Sequence, residues 1–133
     1  MKYFFYIFIF LSFSSFSQNE GNIWYFGYNA GLDFNSGVPV ALSNGQLNTL
    51  EGSASIADNN GDLLFYTDGS LVYNKNHLIM PNGSGLLGDN SSTQSAIIVK
   101  QPGSTTIYYI FTVALSTSGN GLRYSEVDIS LQG

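Results

Sequence analysis

Two carboxylates, Asp62 and Asp68, lie six residues apart in the stretch DLLFYTDGSLVYN. Paired carboxylates are the groups that hydrolyse glycosidic bonds, and in such sites they lie about 5–9.5 Å apart. On one uninterrupted strand these two would share a face but be separated by about 20 Å, at roughly 3.3 Å per residue. The spacing therefore excludes a catalytic pair within one strand. The neighbouring Asn-Gly and Asp-Gly dipeptides indicate instead that both residues flank turns.

The segment DNNGD, residues 58–62, contains the carboxylates and amides that calcium prefers as ligands. It lacks the D-x-[DN]-x-[DN]-G spacing and the distant Glu of an EF-hand loop. A hairpin turn accounts for the same residues. No cofactor is therefore expected, and calcium is the one alternative that the sequence leaves open.

His77 is the only histidine, and the chain has no cysteine. A nucleophilic triad would have to use His77, but no G-x-S-x-G motif accompanies it. The sequence thus predicts no catalytic residues and no enzymatic activity for this chain. His77 follows a predicted strand and precedes Pro81-Asn82-Gly83, which we interpret as a turn. It is either a polar side chain bonded to the backbone or a contact to a ligand.

Aromatic side chains are abundant, with nine Tyr and one Trp. Outward-facing aromatics beside amides can stack on sugar rings, although such residues also pack between neighbouring strands and sheets. The candidate ligand contacts are Trp24, Tyr73, Asn76 and His77.

The segments that must position these residues have the pattern of short strands. β-branched and aromatic residues cluster in short runs between Gly, Asn, Ser and Thr, and no stretch keeps helical spacing for three turns. The sequence therefore predicts an all-β protein. The predicted strands span residues 22–27, 53–58, 62–68, 70–74, 95–100, 106–113 and 122–131.

Three antiparallel hairpins are predicted between these strands. Asn60-Gly61 and Asp68-Gly69 suit the positive φ angles of two-residue hairpin turns. The third hairpin is predicted through the Gly- and Ser-containing loop at residues 114–121.

A loose internal repeat accompanies the hairpins. The repeated pattern is an aromatic strand followed by a glycine-containing turn and then Leu-x-aromatic. It occurs around Leu32, Leu71 and Leu122, and these leucines are separated by 39 and 51 residues. These separations bracket the roughly 40–50 residues of a four-stranded propeller blade. The chain then supplies about two to three blades, whereas closed propellers have about 4–8. We therefore expect the N-terminal part of a longer propeller-like protein. The alternative is a small, complete β-sandwich.

The N-terminus is typical of a Sec-type signal peptide. Lys2 precedes a largely apolar run from Tyr3 to Phe13, and Ser15 and Ser17 provide the small residues before a cut at Gln18. The predicted division is therefore a signal peptide at residues 1–17 and an all-β module at residues 18–133.

Removal of the signal peptide leaves three basic and nine acidic side chains, a net charge of −6. This acidic balance argues against nucleic acid and anionic membranes as partners. No second apolar run reaches the length of a membrane span, so the mature chain is expected not to cross a membrane.

Three stretches together resemble a known group of proteins. The stretches are NIWYFGYNAGLDFNSGVPVAL, the run from LEGSASIADNNGD to GSGLLG, and SSTQSAIIVKQPGSTTIYYIFTV. They are similar to the N-terminal region of large secreted proteins of Bacteroidetes. Those proteins typically end in a gliding-motility-associated, type IX secretion (type B) sorting domain. The resemblance implies a β-propeller-like region and a location outside the cell.

This chain departs from that group in three ways. The sorting domain is absent, so export by type IX secretion cannot be inferred from these residues. Tyr73 replaces an expected Trp, and Ser53 stands where relatives often carry a small residue such as Cys.

These observations predict a non-catalytic module that is extracellular or on the outer cell surface. Its expected role is adhesion or recognition of a glycan or a surface protein through loops at one end of the blades. Two alternatives remain: part of a carbohydrate-active enzyme whose catalytic residues lie outside this chain, and a structural spacer at the surface.

Overall fold

Strands make up nearly all the regular structure of the residues that the structure describes. The computed structural model describes residues 18–115, 119 and 121–131. Within them are ten strands and two single-turn 3-10 helices, Asn19–Gly21 and Ile129–Leu131. The strands are β1 (Ile23–Phe26), β2 (Ala30–Asp33), β3 (Val40–Leu42), β4 (Ala54–Ala57), β5 (Leu63–Thr67), β6 (Leu71–Asn74), β7 (Ile79–Ser84), β8 (Ala96–Lys100), β9 (Ile107–Val113) and β10 (Leu122–Asp128).

The all-β prediction is therefore confirmed. The predicted signal peptide at residues 1–17 lies outside the described residues. In the part of the chain that the structure covers, no helix has the length and apolarity needed to cross a membrane.

The strands form three antiparallel sheets that follow one another along the chain. The first sheet has the order β1-β2-β3, the middle sheet β4-β5-β6-β7 and the third sheet β8-β9-β10. Within each sheet, every strand pairs with the next one in sequence, as in a meander. A β-sandwich consists of two sheets packed face to face, whereas these residues form three sheets. The alternative of a small β-sandwich therefore does not match this arrangement.

The middle sheet is covered on both faces. Successive residues of a strand point to opposite faces, so Phe65 packs toward the third sheet, where its ring meets Tyr108, and Tyr66 packs toward the first, where it meets Tyr25. Phe65 and Tyr66 have no exposed surface. Two apolar cores therefore lie on the two sides of one sheet.

The first strands of the three sheets are neighbours in space, because β4 contacts both β1 and β8. Strand β1 is an edge strand, and side chains from β4 and the residue before it satisfy its free backbone. The Tyr25 N–H donates to Ser55 Oγ at 2.8 Å, and Ser53 Oγ donates to the Tyr25 carbonyl at 3.1 Å. Because a buried polar group without a partner costs about 1–3 kcal/mol, these two serines stabilise the junction between the sheets.

The turn at Asn60-Gly61 differs from the predicted two-residue turn. Asp58 pairs with Asp62, the Gly61 N–H donates to the Asp58 carbonyl, and only Gly61 has a positive φ, +88°. The loop thus has three residues and a glycine in the left-handed conformation, a common hairpin form. The Asp58 carboxylate favours it by accepting hydrogen bonds from the N–H groups of Asn60 and Asp62, at 2.8 and 2.9 Å.

The hairpin at Asp68-Gly69 is present, but its loop is longer than the predicted two residues. Thr67 pairs with Val72, which leaves four residues between them. Asp68 Oδ1 accepts from the N–H groups of Ser70 and Leu71, both at 2.8 Å. Asp68 is only 6% exposed and its carboxylate is occupied by its own turn, which confirms that Asp68 is a turn-flanking aspartate.

The third hairpin is confirmed, since β9 and β10 pair from Leu122 opposite Val113. The turn predicted at Pro81-Asn82-Gly83 is wrong, because these residues lie within β7. Pro81 is tolerated there because β7 is an edge strand of the middle sheet. Asn82 has φ +59°, and the pairing with β6 shifts register at this point, so β7 is strongly bulged.

The repeat occupies matching positions in only two of the sheets. Leu71 begins β6 and Leu122 begins β10, and each of these is the third strand of its sheet in chain order. Leu32 instead lies inside β2, the second strand of the first sheet. The copy around Leu32 therefore forms a hairpin like the other two but holds a different place in its sheet. In the copy around Leu32, the aromatic strand is β1, the edge strand of the first sheet that contacts β4 of the middle sheet.

Candidate functional site

Three tyrosine rings form a stack that connects the first and middle sheets. The Tyr25 and Tyr66 ring centroids are 4.6 Å apart, and those of Tyr66 and Tyr73 are 5.3 Å apart. Tyr66 and Tyr73 are direct cross-strand partners on β5 and β6, which places their side chains side by side. Together with Asn44 and His77, these residues are called the tyrosine–histidine cluster below.

His77 reaches the cluster from the turn between β6 and β7. The Asn74 side chain shapes this turn by accepting hydrogen bonds from the N–H groups of Asn76 and Leu78, at 2.9 and 3.1 Å. His77 has φ +62°, which is uncommon for a residue with a Cβ. Its ring centroid lies 5.4 Å from that of Tyr25, in an edge-on arrangement.

A chain of hydrogen bonds fixes the imidazole of His77. Tyr25 donates to Asn44 Oδ1 at 2.9 Å, and Asn44 Nδ2 lies 2.8 Å from His77 Nε2. Because the amide nitrogen can only donate, Nε2 is the acceptor and the ring proton is on Nδ1. Nδ1 then donates to the Tyr66 hydroxyl, 3.0 Å away, which also accepts from the Gln46 N–H at 3.1 Å. Both ring nitrogens of His77 are therefore occupied within the protein.

Burial keeps the phenols of the cluster protonated. It raises the pKa of Tyr66 to about 12, although the hydrogen bond from the Gln46 N–H acts in the opposite direction. Burial also raises the pKa values of Tyr25 and Tyr73, and the charge of Asp68 adds to the effect on Tyr73. At neutral pH these hydroxyls keep their protons, so they do not act as bases or nucleophiles.

The surface beside the cluster carries amide side chains. The β6–β7 turn exposes Lys75, Asn76 and Leu78, and the loop that follows β3 exposes Asn44 and Gln46. The three amides among them, Asn44, Gln46 and Asn76, are called the amide rim below. Primary amides both donate and accept hydrogen bonds, as sugar hydroxyls and peptide groups do. The amide rim can therefore bind a neutral polar ligand.

The structure brings three of the four predicted contact residues together. Tyr73, Asn76 and His77 lie on β6 and the turn that follows it. Trp24 is elsewhere: it is 51% exposed and lies on the face of the first sheet opposite Tyr25. Its indole N–H donates to the Gly21 carbonyl at 2.7 Å.

Sequence reasoning missed Asn44, Gln46 and the central position of Tyr66. Buried and exposed residues alternate in β1, with Tyr25 facing inward, but all four residues of IWYF are apolar or aromatic, so the sequence does not show which of them face inward. No local pattern marks Asn44, which lies 33 residues before His77.

The acidic residues do not form a metal-binding group. Among the residues that the structure describes, no three His, Asp or Glu side chains converge. The carboxylates of Asp58 and Asp68 accept hydrogen bonds from their own turns.

A separate cleft of about 250 Å³ lies between the middle and third sheets. Met80, Leu86 and Val127 contribute its apolar lining, and Glu126 and Asp128 also border it. None of the predicted contact residues lines this cleft.

Comparison with known proteins gives no relative: no family model, no curated protein and no solved structure matches the chain. The similarity to secreted Bacteroidetes proteins therefore stays a prediction based on the sequence motifs quoted above.

Proposed function

We propose that the chain is a non-catalytic, exported β module that recognises a neutral glycan at or outside the cell surface, and that its sheets are successive blades of a propeller-like array. The observation that carries the proposal is the amide rim, which rests on a turn held by partly buried hydrogen bonds.

The blade assignment is supported by the order of the strands. Each sheet is an antiparallel meander, and the middle sheet has the four strands of a propeller blade. The first strands of successive sheets are neighbours, as β1, β4 and β8 are here. Loops at the end of such an array are common positions for binding residues.

The recognition role is supported by the way the rim is held. His77 is bonded through both ring nitrogens and Asn74 bonds two N–H groups of the same turn, so Asn76 is presented from a fixed backbone. A surface that is ordered before binding loses less entropy when a ligand arrives. The net charge of −6 after signal removal favours a neutral ligand over an anionic one.

The non-catalytic assignment is supported by the occupation of the polar groups. His77 has no nitrogen left for a substrate, and the tyrosines keep their protons at neutral pH. Asp68 is committed to its turn.

The test is binding of the purified, exported protein to an array of neutral and anionic glycans. We expect a neutral glycan to bind the wild type and Asn76→Ala to weaken that binding about fivefold, since one good hydrogen bond contributes about 1 kcal/mol. Asn59→Ala is the matched control, because Asn59 is an exposed amide in the β4–β5 turn.

Trp24→Ala tests the separated candidate contact, and we expect it to leave glycan binding unchanged. If Trp24→Ala abolishes glycan binding while Asn76→Ala does not, the glycan binds the first sheet, and the proposal that it binds the amide rim is wrong. A folded wild-type protein that binds no glycan would contradict the recognition role and favour the surface spacer.

A further inference from the structure

We propose that protonation of His77 reverses the hydrogen bonds of the Asn44 side chain, so that acid changes the groups that the amide rim presents. The reversal is a property of the tyrosine–histidine cluster and does not depend on any ligand. Its effect on ligand binding adds regulation to the proposed recognition role and rests on that role.

The hydrogen bond between Asn44 and His77 depends on the charge of the ring. In the neutral ring, Nε2 of His77 accepts from Nδ2 of Asn44 at 2.8 Å. Protonation places a hydrogen on Nε2 and turns it into a donor. Two N–H groups would then face each other over this distance, and neither would have an acceptor. The charged ring is therefore incompatible with this orientation of the Asn44 amide.

Rotation of the Asn44 amide by half a turn removes the conflict. Oδ1 then accepts from Nε2–H, and this bond is strengthened because its donor is charged. Nδ2 in turn donates to the Tyr25 hydroxyl, which in the neutral cluster donates to Oδ1 at 2.9 Å. A hydroxyl can either donate or accept, so Tyr25 suits both orientations of the amide.

The opposite side of the imidazole needs no change. Nδ1 of His77 already carries a hydrogen and donates to the Tyr66 hydroxyl at 3.0 Å, and it does so in the neutral and the charged ring alike. The ring centroid of His77 lies 5.4 Å from that of Tyr25 and 5.8 Å from that of Tyr66, so the imidazole is held between them. Protonation therefore acts on one hydrogen bond, the bond that ends on the amide rim.

The side chains around His77 leave it as the group that titrates near neutral pH. The titratable side chains that face it or its ring stack are phenols whose pKa burial raises: Tyr25 on β1, Tyr66 on β5 and Tyr73 on β6. The charged side chains around the cluster are Lys75 in the same turn, Asp33, whose charge acts on Tyr25, and Asp68, whose charge acts on Tyr73. The loop after β3 contributes no charged residue between positions 43 and 50. Histidine is the side chain that ordinarily changes its charge between pH 5 and 8.

The reversal exchanges the groups that Asn44 offers to a ligand. Asn44 is exposed, and its amide uses one hydrogen and one acceptor position within the cluster. One donor and one acceptor position remain for a ligand, and rotation puts each where the other was. A neutral glycan that bonds Asn44 at pH 8 therefore meets a mismatched group at pH 5. We expect it to bind about fivefold more weakly in acid, which corresponds to the loss of one hydrogen bond.

The test is nuclear magnetic resonance of the isotope-labelled, exported chain, purified without a histidine tag. His77 is the only histidine, so its ring signals need no further assignment. At pH 8 we expect the ring hydrogen on Nδ1. As the pH falls to 5, Nε2 should gain a hydrogen, and the side-chain amide signals of Asn44 should move with the same midpoint. The matched control is the side-chain amide of Asn59, which is exposed in the β4–β5 turn and should not follow the ring.

Asn44→Asp removes the need for rotation. A carboxylate at this position accepts from Nε2–H and attracts the charged ring, so His77 should keep its second hydrogen to a pH about one unit higher than in the wild type. Asn48→Asp is the matched control, because it adds the same charge to the same loop at an exposed position that pairs with Tyr28. It should change the titration of the ring less.

Three results overturn the reversal. The first is a ring hydrogen on Nε2 at pH 8, because the amide would then already have the opposite orientation. The second is an Asn44 amide whose signals stay unchanged while the ring titrates. The third is an equal change in the ring titration for Asn44→Asp and Asn48→Asp.

Glycan binding at the two pH values separates the reversal from the recognition role. If the Asn44 signals move as expected and no glycan binds, the reversal is supported and the recognition role is contradicted. If a neutral glycan binds equally well at pH 5 and pH 8 although the signals move, the proposed regulation of binding is wrong.

Discussion

The hydroxyl of Tyr66 lies 3.0 Å from Nδ1 of His77, so a residue without exposed surface on β5 holds the turn between β6 and β7. The same hydroxyl accepts from the N–H of Gln46, which belongs to the loop after β3. One phenolic oxygen thus joins the two segments that carry the amide rim. The geometry of the rim depends on a side chain that a ligand does not touch.

Replacement of Tyr66 by Phe should therefore destabilise the protein while leaving the ring stack in place. The Gln46 N–H and His77 Nδ1 lose their shared partner, and the free energy of unfolding should fall by about 1–2 kcal/mol. Urea unfolding followed by circular dichroism measures this difference. The control is Tyr28→Phe, since Tyr28 is 65% exposed; equal losses in both variants would contradict the structural role of the Tyr66 hydroxyl.

The raised pKa of Tyr66 predicts a loss of stability in alkali. The unfolded chain releases this proton near pH 10, whereas burial delays release in the folded protein to about pH 12. The folded state then binds more protons than the unfolded state, so its stability falls as the pH rises from 10 to 12. Thermal melts across this range should show a smaller decline in Tyr66→Phe than in the wild type. The same decline in both proteins would assign the effect to other groups.

Ser55→Ala should weaken the junction between the first and middle sheets. The N–H of Tyr25 loses the oxygen at 2.8 Å, and the cost of an unsatisfied buried donor is about 1–3 kcal/mol. The matched control is Ser36→Ala, because the Ser36 hydroxyl bonds a backbone carbonyl in an exposed loop. Chemical denaturation of the two variants compares them directly, and a Ser55→Ala protein as stable as the control is incompatible with this role.

Gly61→Ala and Gly103→Ala separate backbone strain from steric conflict. Both glycines have positive φ, +88° and +79°, so either substitution should cost about 1–2 kcal/mol through strain. At Gly61 the added methyl group would also clash with the side chain of Asn35, whereas nothing lies within 4 Å at Gly103. We therefore expect Gly61→Ala to lower the unfolding midpoint more than Gly103→Ala. If Gly103→Ala lowered the midpoint more than Gly61→Ala, the β4–β5 turn would not lie against Asn35 as described.

The strands that the sequence predicted are those with strong local patterns. The run at residues 106–113 alternates and is β-branched and aromatic, and it forms β9 nearly throughout. Strand β3 was missed because it has only three residues and follows Pro39. Strand β7 was missed because Pro81 and Gly83 are typical of turns, and only the pairing with β6 makes this segment a strand.

The candidate site was predictable only in part, for a similar reason. Tyr73 and His77 are close in sequence, so one turn was sufficient to bring them together. Asn44 meets His77 only because the first and middle sheets pack against each other, and such a contact leaves no periodic signal in the sequence. Turn residues are local, whereas hydrogen bonds between sheets depend on the complete fold.

Pro81 has a consequence for how the protein avoids aggregation. It lies in β7, at the edge of the middle sheet, where a foreign strand could otherwise add to the row of free backbone groups. Proline has no N–H to offer, and the bulge at Asn82 bends the same edge away from a regular strand. Amyloid-type growth from this edge is therefore disfavoured even when the protein is concentrated at a surface.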